Sequence, residues 1–429
     1  MRTNHNIVNI AAAMLMAMTV ATSATAGDIV AAGATSYWLK NDGKVYGWGR
    51  NQEYQIGDRT NTEHYEPTEA YKLTDAQQIV SGVNCLFVVK TDGTLACYGS
   101  GNKGQLGIGK NEQKWPEYFS VGYRQKVVQL VSANQHCLAV THEGELYAWG
   151  DNEYGQNGQD NSGTKSVSQP RQRMSGIVVK EAAVGDNHSA VVTADNKLYT
   201  FGRNNNGQLA DNTTTDRFEP QPVMDQVVHV FAGGDYTAAV KADGSLWLNQ
   251  GATHGMARIL EGGIRQVVIA GNHIYALKKS HELYAATIGA TLVKVLDGVQ
   301  SINGCGDLAF AILTDKALWQ CSQSPKKLLD NVVRVSTSGE HTLALTTDGS
   351  LYAWGKNNQS QLANRTRVDE AMPKLIGKDP IPETQGVATI TIDSQLQDNR
   401  VYNLSGQSVP ATTSPKSGIY IVNGRKVIR

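Results

Sequence analysis

The stretch His341-Thr-Leu-Ala-Leu-Thr-Thr-Asp-Gly-Ser-Leu351-Tyr-Ala-Trp354-Gly355 decides the fold, because similar stretches recur along the chain. Each copy opens on an anchor residue and places an apolar residue ten positions later, without insertion or deletion. The anchor and apolar pairs are Thr35/Val45, Cys85/Leu95, His136/Leu146, His188/Leu198, Tyr236/Leu246, His273/Leu283, Leu308/Leu318 and His341/Leu351. A segment that keeps its length in every copy is a packed unit, and repeats of this period predict a stacked or radial architecture.

Each unit has the pattern of a β-hairpin. An apolar first strand leads into a turn pair such as Asp92-Gly93, where glycine accepts a positive φ without a Cβ clash. A second strand then alternates, as in Leu146-Tyr147-Ala148-Trp149. Three copies depart at the turn, with Asp195-Asn196, His281-Glu282 and Asp315-Lys316. Asparagine tolerates the left-handed region, so we expect altered turn geometry in the last two only.

Five copies carry a second block close to Trp-Gly-x-Asn-x-x-Gly-Gln-Leu-Gly after the hairpin. It begins at Trp48, Tyr98, Trp149, Phe201 and Trp354, and its glutamine is Gln55, Gln105, Gln156, Gln208 or Gln361. Copies five to seven lack this block but keep an apolar stretch before the next anchor. The part that is missing from them is therefore predicted to be a loop and not a strand.

With these two blocks the chain resembles the regulator-of-chromosome-condensation repeat family over residues 28–378. The resemblance implies an all-β fold, a β-propeller. The family usually builds seven blades whereas eight hairpins are counted here, so the sequence leaves a seven- or eight-bladed propeller open. Blades that pack face to face around an axis bury surfaces that a single blade leaves exposed.

The two ends of the propeller segment suggest how the ring closes. The stretch Asp28-Ile-Val-Ala-Ala-Gly33 is similar to Gln78-Ile-Val-Ser-Gly82, the strand that precedes an anchor. The last repeat stops after Pro373-Lys-Leu-Ile. We therefore expect the N-terminal strand to complete the last blade, so that both ends of the segment share it.

Composition limits the class of partner. The chain has 43 Gly, 11 Pro and 40% hydrophobic residues, which is enough for a core, and its formal net charge is +0. Nucleic-acid binding requires clustered Lys and Arg, so no nucleic-acid partner is expected. We expect a monomer that binds a protein or a cell-surface polymer.

Residues 1–26 have the pattern of a signal peptide. Arg2 precedes a short apolar run over residues 10–20, and Ala24-Thr25-Ala26 offers a small-residue cleavage site. The run is too short to span a bilayer comfortably, although an anchor that stays on is the alternative. The sequence thus predicts an exported protein, secreted or at the cell surface, or periplasmic if the C-terminal tail does not sort.

Cysteine, histidine and glutamine are interpreted as structural. Five cysteines leave at least one unpaired, and Cys85 and Cys137, at or beside anchors, are predicted to be small buried fillers. No metal site and no cofactor are expected. The anchor histidines are predicted to cap neighbouring loops by hydrogen bonding, because Thr35 and Leu308 substitute for them. The repeated glutamines should satisfy local backbone groups, and the aromatic residues that open the second block should pack between blades.

After a linker over residues 379–386, residues 387–429 are predicted to form a small β module. Strands are expected at 388–392, 400–404 and 418–422, with an Asn423-Gly424 turn. The segments 401–409 and 418–427 resemble the C-terminal sorting domains of type IX secretion. A plain β module is the alternative.

The chain is thus predicted to be an exported, non-catalytic propeller that serves as a binding scaffold. Divergent inserts after the second block are the candidate contacts, with Tyr65, Trp115 and Phe218 as exposed anchors. The inserts are Arg59–Tyr65, Lys110–Trp115, Asp160–Ser168, Asn212–Phe218 and Asn364–Glu370. Nucleotide exchange on a small GTPase, known for intracellular family members, does not suit a neutral exported chain.

The alternative is a propeller enzyme, a lyase or hydrolase that acts on a glycan or a peptide antibiotic. It would need a histidine gathered with carboxylates within roughly 6 Å at one mouth of the ring. No catalytic motif in the sequence points to it.

Overall fold

The computed structural model describes residues 23–25, 28–112, 114–119, 121, 125–160, 165–249, 251, 255–322, 324–378, 401–402, 408–409, 419–422 and 425–428. These residues form strands, turns and irregular chain, and among them we find no helix that could cross a membrane. Eight sheets, each built on four consecutive antiparallel strands, make up the propeller. We call the sheets blades 1 to 8 and their strands a to d from the axis outwards.

The strands follow in chain order. Blades 1 to 3 comprise Asp28–Ala32, Thr35–Leu39, Val45–Gly49 and His64–Glu69; Ala76–Gly82, Cys85–Lys90, Leu95–Gly99 and Lys114–Phe119; Val127–Ala133, His136–Thr141, Leu146–Asp151 and Ser166–Arg173. Blades 4 to 6 comprise Val179–Val184, His188–Thr193, Leu198–Gly202 and Arg217–Met224; Val227–Gly233, Tyr236–Lys241, Leu246–Asn249 and Met256–Leu260; Ile264–Ala270, His273–Lys278, Leu283–Thr287 and Val293–Leu296. Blades 7 and 8 comprise Val299–Cys305, Leu308–Leu313, Leu318–Gln320 and Lys326–Leu329; Val332–Thr337, His341–Thr346, Ser350–Gly355 and Glu370–Lys378.

Two groups of strands lie outside this set. Ser23–Thr25, inside the predicted signal peptide, pairs with strand a of blade 2. A separate sheet is formed by Ser408–Val409, Val401–Tyr402, Ile419–Val422 and Arg425–Ile428, in that order. The chain divides into two compact units between Ile381 and Pro382. The strand predicted at 388–392 lies outside the described residues.

The repeat pattern maps directly onto the blades. Every anchor is the first residue of a strand b, and the apolar residue ten positions later begins strand c in seven blades and is its second residue in blade 8. The number of hairpins therefore equals the number of blades, and the propeller is eight-bladed. Strand a of each blade packs on strand a of the next, and strands a and b of blade 8 pack on strand a of blade 1, so the ring is closed.

The prediction that both ends of the segment share one blade is wrong. Asp28–Ala32 pairs with Thr35–Leu39 inside blade 1. Blade 8 contains its own strand a, Val332–Thr337, and its own strand d, Glu370–Lys378, so it lacks nothing. Each repeat is a whole blade, and the ring closes by side-chain packing and hydrogen bonds between blades instead of by a shared sheet.

The expectation of altered turns is also wrong. The position eight residues after the anchor, which Gly93 occupies in blade 2, holds His281 in blade 6 and Lys316 in blade 7. His281, which follows Ser280, has φ 66°, and Lys316 has φ 67°. Both accept the left-handed conformation that Gly93 adopts at φ 82°. The backbone hydrogen bond from Lys278 to Glu282 matches the bond from Lys90 to Thr94 in blade 2. The flanking strands therefore impose one turn geometry on all three residue types.

Packing between blades supplies the core. Trp48, Trp149 and Phe201 are fully buried and Trp354 nearly so. The Trp149 ring meets Phe87 of the preceding blade edge to face, with ring centroids 6.1 Å apart. This confirms that the aromatic residues of the second block pack between blades.

Candidate interaction face

Antiparallel order places the a–b turns and the c–d loops of every blade on one face, which we call the loop face. The b–c turns and the connections between blades lie on the opposite face, the turn face. The c–d loops are long in blades 8, 1, 2, 3 and 4, the full arc, at residues 356–369, 50–63, 100–113, 152–165 and 203–216. They are short in blades 5, 6 and 7, the trimmed arc, at residues 250–255, 288–292 and 321–325. Because all three trimmed blades keep a strand d, the prediction that only a loop is missing is confirmed.

A glycine makes each long loop possible. In the full arc the residue opposite the anchor is a glycine with strongly positive φ, for example Gly150 at φ 98° opposite His136. A Cβ at Gly150 would lie 2.3 Å from the carbonyl oxygen of Gln135. In blade 6 the same register position holds Thr287, opposite His273, which ends strand c without a positive φ. The glycine therefore marks where the chain leaves the sheet to form the loop.

The repeated glutamine organises the loop that contains it. Its side-chain oxygen accepts the backbone N–H of the residue two positions earlier in all five copies, at 2.8–3.0 Å. An asparagine adds a second support, as Asn204 does by accepting the Leu209 N–H at 2.9 Å and donating to the Thr213 carbonyl at 3.0 Å. The prediction that the glutamines satisfy local backbone groups is confirmed.

The anchor histidines of the full arc form latches to the next blade. His136, His188 and His341 are fully buried. Their Nε2 atoms lie 3.1 Å from Ser189 Oγ, 2.8 Å from Thr237 Oγ1 and 2.7 Å from Ser36 Oγ, each hydroxyl directly following the next anchor. The same hydroxyls donate to the backbone carbonyls of Gln156, Gln208 and Gln361 at 2.7–2.9 Å. A latch thus joins strand b, the next blade and the long loop.

The hydroxyl proton fixes the protonation of the imidazole. Because the Ser189 hydroxyl donates to Gln156, Nε2 of His136 must carry the hydrogen and donate to Ser189. Nδ1 of His136 and of His188 is then a buried acceptor without a partner. Burial, and for His136 also the nearby His188, lowers the pKa of His136 to about 3, and burial lowers the pKa of His188 and His341 to about 4. These imidazoles are therefore buried and neutral at pH 7.

The fourth histidine anchor differs. His273 in the trimmed arc is partly exposed, and the residue that corresponds to the latch hydroxyl is Ala309. The prediction of capping histidines therefore holds in the full arc, through a hydroxyl, and fails at His273 because its blade has no long loop. Between blades 2 and 3 the latch positions hold Cys85 and Cys137, both buried, which confirms these two as fillers.

A second set of contacts, near the axis, joins the blades in both arcs. Gln129 exchanges two hydrogen bonds with the backbone of Ala182, and Gln266 does the same with Ile302. Glu181 follows this pattern by accepting the Val230 N–H at 3.0 Å, and its other oxygen lies 3.0 Å from Nδ1 of His229. Each side chain follows a register shift in strand a, where a bulge re-aims it toward the next blade. We call these contacts clasps.

The outer inserts contain a brace that imitates a catalytic triad. Asp58 Oδ2 lies 2.7 Å from His64 Nε2, whose Nδ1 lies 3.1 Å from Thr68 Oγ1. The equivalent residues in blade 4 are Asp211 and Arg217, joined at 2.7 Å. Because an arginine serves the same position, the His64 contact is a structural brace.

The enzyme hypothesis gains no site from these contacts. Within the described residues the histidine–carboxylate contacts are those of His64 with Asp58 and of His229 with Glu181. The first braces an insert and the second belongs to a clasp. No three His, Cys, Asp or Glu side chains in the described part of the chain are gathered as metal ligands would be.

The predicted contact residues lie in three different environments. Tyr65 is 41% exposed, and the guanidinium carbon of Arg367 lies 5.7 Å from its ring. Phe218 is half-buried, and its backbone lies against Gly155 in the loop of blade 3. Trp115 belongs to strand d of blade 2, and its side chain lies outside the described residues. Of Tyr65 and Phe218, the two predicted contacts whose side chains the structure describes, Tyr65 is therefore the more accessible.

Tyr65 stands at the seam where blade 8 meets blade 1. Arg367 of blade 8 forms a two-pronged ion pair with Glu63, with atoms 2.6 and 3.2 Å apart. Arg365 pairs with Glu66, and Val368 beside them is 68% exposed. The predicted inserts of blades 1 and 8 thus form one continuous surface across the seam.

Sequence reasoning missed the latch hydroxyls, although a signal for them exists. Ser36, Ser189 and Thr237 each follow an anchor, and each follows a blade whose anchor is histidine. Sequence reasoning also missed the acidic residues of the a–b turns. Asp186, Asp235, Asp307 and Glu340 occupy these turns in blades 4, 5, 7 and 8.

Comparison with known proteins agrees with this architecture. Residues 11–249 match the RCC1-like domain, and residues 332–361 and 348–390 match the regulator of chromosome condensation (RCC1) repeat. The human E3 ubiquitin-protein ligase HERC2 is 33% identical over 216 residues, which are 48% of this chain and 4% of HERC2. The ultraviolet-B receptor UVR8 of Arabidopsis thaliana is 33% identical over 234 residues, 51% of this chain and 52% of UVR8.

Solved structures are similar in fold. Prp20p of Saccharomyces cerevisiae superposes with a TM-score of 0.57 at 18% identity, covering 78% of this chain and 86% of Prp20p. Human WBSCR16 superposes with a TM-score of 0.54 at 18% identity, covering 78% of this chain and 94% of WBSCR16. At this identity the likeness establishes the fold alone. The chain spans no more than about half the length of the two curated relatives, HERC2 and UVR8.

Proposed function

We propose, from the premise that this chain belongs to the family of RCC1-like domain proteins, that it is an exported, non-catalytic scaffold that binds another protein or a cell-surface polymer. The loop face is the contact surface in this proposal. Loops held by a rigid framework commonly carry recognition. The names of HERC2 and UVR8 describe a ligase and a receptor, and this chain matches only part of each.

One observation carries the proposal. The repeated glutamines and the anchor histidines of the full arc each make an internal hydrogen bond, whereas the seam between blades 8 and 1 keeps Tyr65, Arg367 and Val368 exposed. Tyrosine and arginine are enriched among residues that dominate binding energy. The structure of Prp20p was described with its binding to Gsp1p and histones, which supports protein binding as a use of this fold.

The test is a capture experiment from native envelope extract with three versions of the full chain. The wild type, Tyr65→Ala, and Val178→Ala as control are compared by quantitative mass spectrometry. Val178 is 44% exposed in the connection between blades 3 and 4, which lies on the turn face, so its substitution removes an exposed apolar group outside the loop face. We expect at least one protein or glycan that the wild type and the control capture and that Tyr65→Ala loses. A captured set that is the same for all three versions would refute the seam as contact, and no specific capture would refute the scaffold.

The same proposal includes export. Its support is the signal-peptide pattern of residues 1–26 and the resemblance of residues 387–429 to sorting domains. Intact mass of the chain from the native host should correspond to a start at Gly27. Deletion of residues 387–429 should shift the protein from the surface or medium to the periplasm. A full-length mass, or an unchanged distribution after the deletion, would contradict the respective part.

A further inference from the structure

The trimmed arc exposes side chains that the full arc covers. The anchors of the full arc are at most 2% exposed. Those of the trimmed arc, Tyr236, His273 and Leu308, are partly exposed. The anchors stand at the same position of strand b in every blade, so the difference follows from the missing long loop. Part of the loop face is therefore lined by aromatic and aliphatic groups in contact with solvent.

The charges in the a–b turns beside these groups have one sign. No lysine or arginine occurs in the turn pair that precedes any of the eight anchors. The turns of blades 5 and 7 hold Asp235 and Asp307, and the described residues of the trimmed loops, 251, 255, 288–292, 321–322 and 324–325, carry no charge. Asp186 of blade 4 adds a further carboxylate beside this arc.

In the part of the chain that the structure describes, no lysine or arginine forms an ion pair with Asp186, Asp235 or Asp307. Asp235 accepts hydrogen bonds from the side-chain amides of Asn206 and Gln208, at 2.7 and 3.0 Å. Partial burial and the charge of Asp235 raise the pKa of Asp186, which indicates that the two carboxyl groups repel each other. Glu340 on the other side is paired with Lys356 at 2.7 Å and belongs to the full arc.

We propose that the loop face of the trimmed arc docks a partner segment in which lysine or arginine alternates with apolar side chains. The apolar side chains would cover Tyr236, His273 and Leu308, and the cations would meet Asp235 and Asp307. Charge complementarity selects this occupant, because an acidic protein, a nucleic acid or an acidic glycan would be repelled. The inference rests on the proposed scaffold function and assigns it a second contact surface, separate from the seam.

The experiment uses the full chain and two synthetic peptides of equal length, one alternating lysine and leucine and one alternating glutamate and leucine. Binding is followed by fluorescence anisotropy at two salt concentrations. The double variant Asp235→Asn/Asp307→Asn removes the charges of the proposed site. The matched control Asp297→Asn/Asp330→Asn removes two exposed charges from the turn face of the same arc. Circular dichroism and melting temperature verify that both variants are folded.

The lysine peptide should bind and the glutamate peptide should not. The site variant should weaken binding of the lysine peptide at least tenfold, while the control stays within twofold of the wild type, and added salt should weaken the wild type more than the site variant. Absence of binding, equal binding of both peptides, or equal weakening by both double variants would each overturn the proposal.

The two proposals can fail independently. If the extract yields a partner that Tyr65→Ala loses but Asp235→Asn/Asp307→Asn retains, and the lysine peptide does not bind, the scaffold function stands and the docking site falls. If the lysine peptide binds through Asp235 and Asp307 while the extract yields no specific partner, the docking site stands as a peptide-binding surface. The proposed scaffold function in the native envelope is then refuted.

Discussion

The full arc and the trimmed arc perform the same structural task with different contacts. In the full arc, latches join the long loops of blades 3, 4 and 8 to the next blade through a buried histidine, a hydroxyl and a glutamine carbonyl. In the trimmed arc the blades are held by apolar packing and by clasps near the axis, such as Gln266 on Ile302. The ring therefore does not require a long loop in every blade. The long loops bury the anchors of the full arc and extend its loop face outwards from the strands.

This comparison teaches that the same repeat position can be buried in one arc and accessible to solvent, and so to a partner, in the other. A histidine anchor is sealed in blade 4 and partly open in blade 6. Loss of one loop turns a buried framework position into a surface position, although the trimmed blades keep all four strands. We expect function to concentrate where this loss exposes the framework and where the loops of the seam meet.

The largest expected difference between the arcs is the loss of folding stability at acidic pH. The pKa of His188 is about 4 in the folded chain and its ordinary value is 6.5, so between these values the unfolded chain binds more protons than the folded chain. Stability therefore falls as pH falls from about 6.5 to 4, by about 3 kcal/mol for one such imidazole, and levels off for that group below pH 4. His136 and His341 act in the same direction.

Urea unfolding between pH 7 and pH 4 measures this loss. His188→Gln keeps a hydrogen-bonding group but cannot titrate, so its loss should be about 3 kcal/mol smaller than that of the wild type. His273→Gln controls for the substitution at a partly exposed anchor and should change the free energy of unfolding at pH 7 by no more than about 0.5 kcal/mol. A His188→Gln curve parallel to that of the wild type would refute the buried neutral latch.

A somewhat smaller difference is expected at the residue opposite the anchor. Gly150→Ala places a Cβ against the Gln135 carbonyl oxygen at a φ of 98°, which should cost about 3 kcal/mol of the free energy of unfolding. Thr287→Ala puts the same residue at the same register position of the trimmed arc, where the backbone φ is not positive, and should cost no more than about 0.5 kcal/mol. Equal costs would mean that the glycine is not needed to start the loop.

The smallest effect is expected at the seam. Arg367→Gln removes an exposed ion pair between the first and the last blade, and surface pairs contribute little in salt. The melting temperature should fall by no more than about 2 °C at physiological ionic strength, and by more at low salt. Arg258→Gln removes an ion pair within blade 5 and should have a smaller effect, because it closes no ring. A shift that does not depend on salt would contradict an electrostatic seam.

Much of the fold could be predicted because its signals are local. The constant spacing from anchor to apolar residue fixed each hairpin, since a β-turn and its flanking strands involve consecutive residues. The same locality allowed the glutamines to be assigned to their own loops. It failed at His281 and Lys316, where flanking strands overrode the turn preference of the residue.

Contacts between blades could not be predicted in the same way. The latch joins His341 to Ser36, residues near opposite ends of the propeller segment, and no local pattern specifies that distance. The error about ring closure has the same origin, because similarity between strands cannot tell whether a strand completes its own blade or another. For the candidate site, the sequence located the inserts but could not tell exposed Tyr65 from half-buried Phe218.

The sequence by itself determined the hairpin, the repeat and the loss of the long loop from copies five to seven, because each is a matter of spacing along the chain. The tertiary structure decided that the ring has eight blades, that each repeat is a whole blade and that His188 is sealed while His273 is open. These features depend on which blade lies next to which, and only closure of the ring sets that.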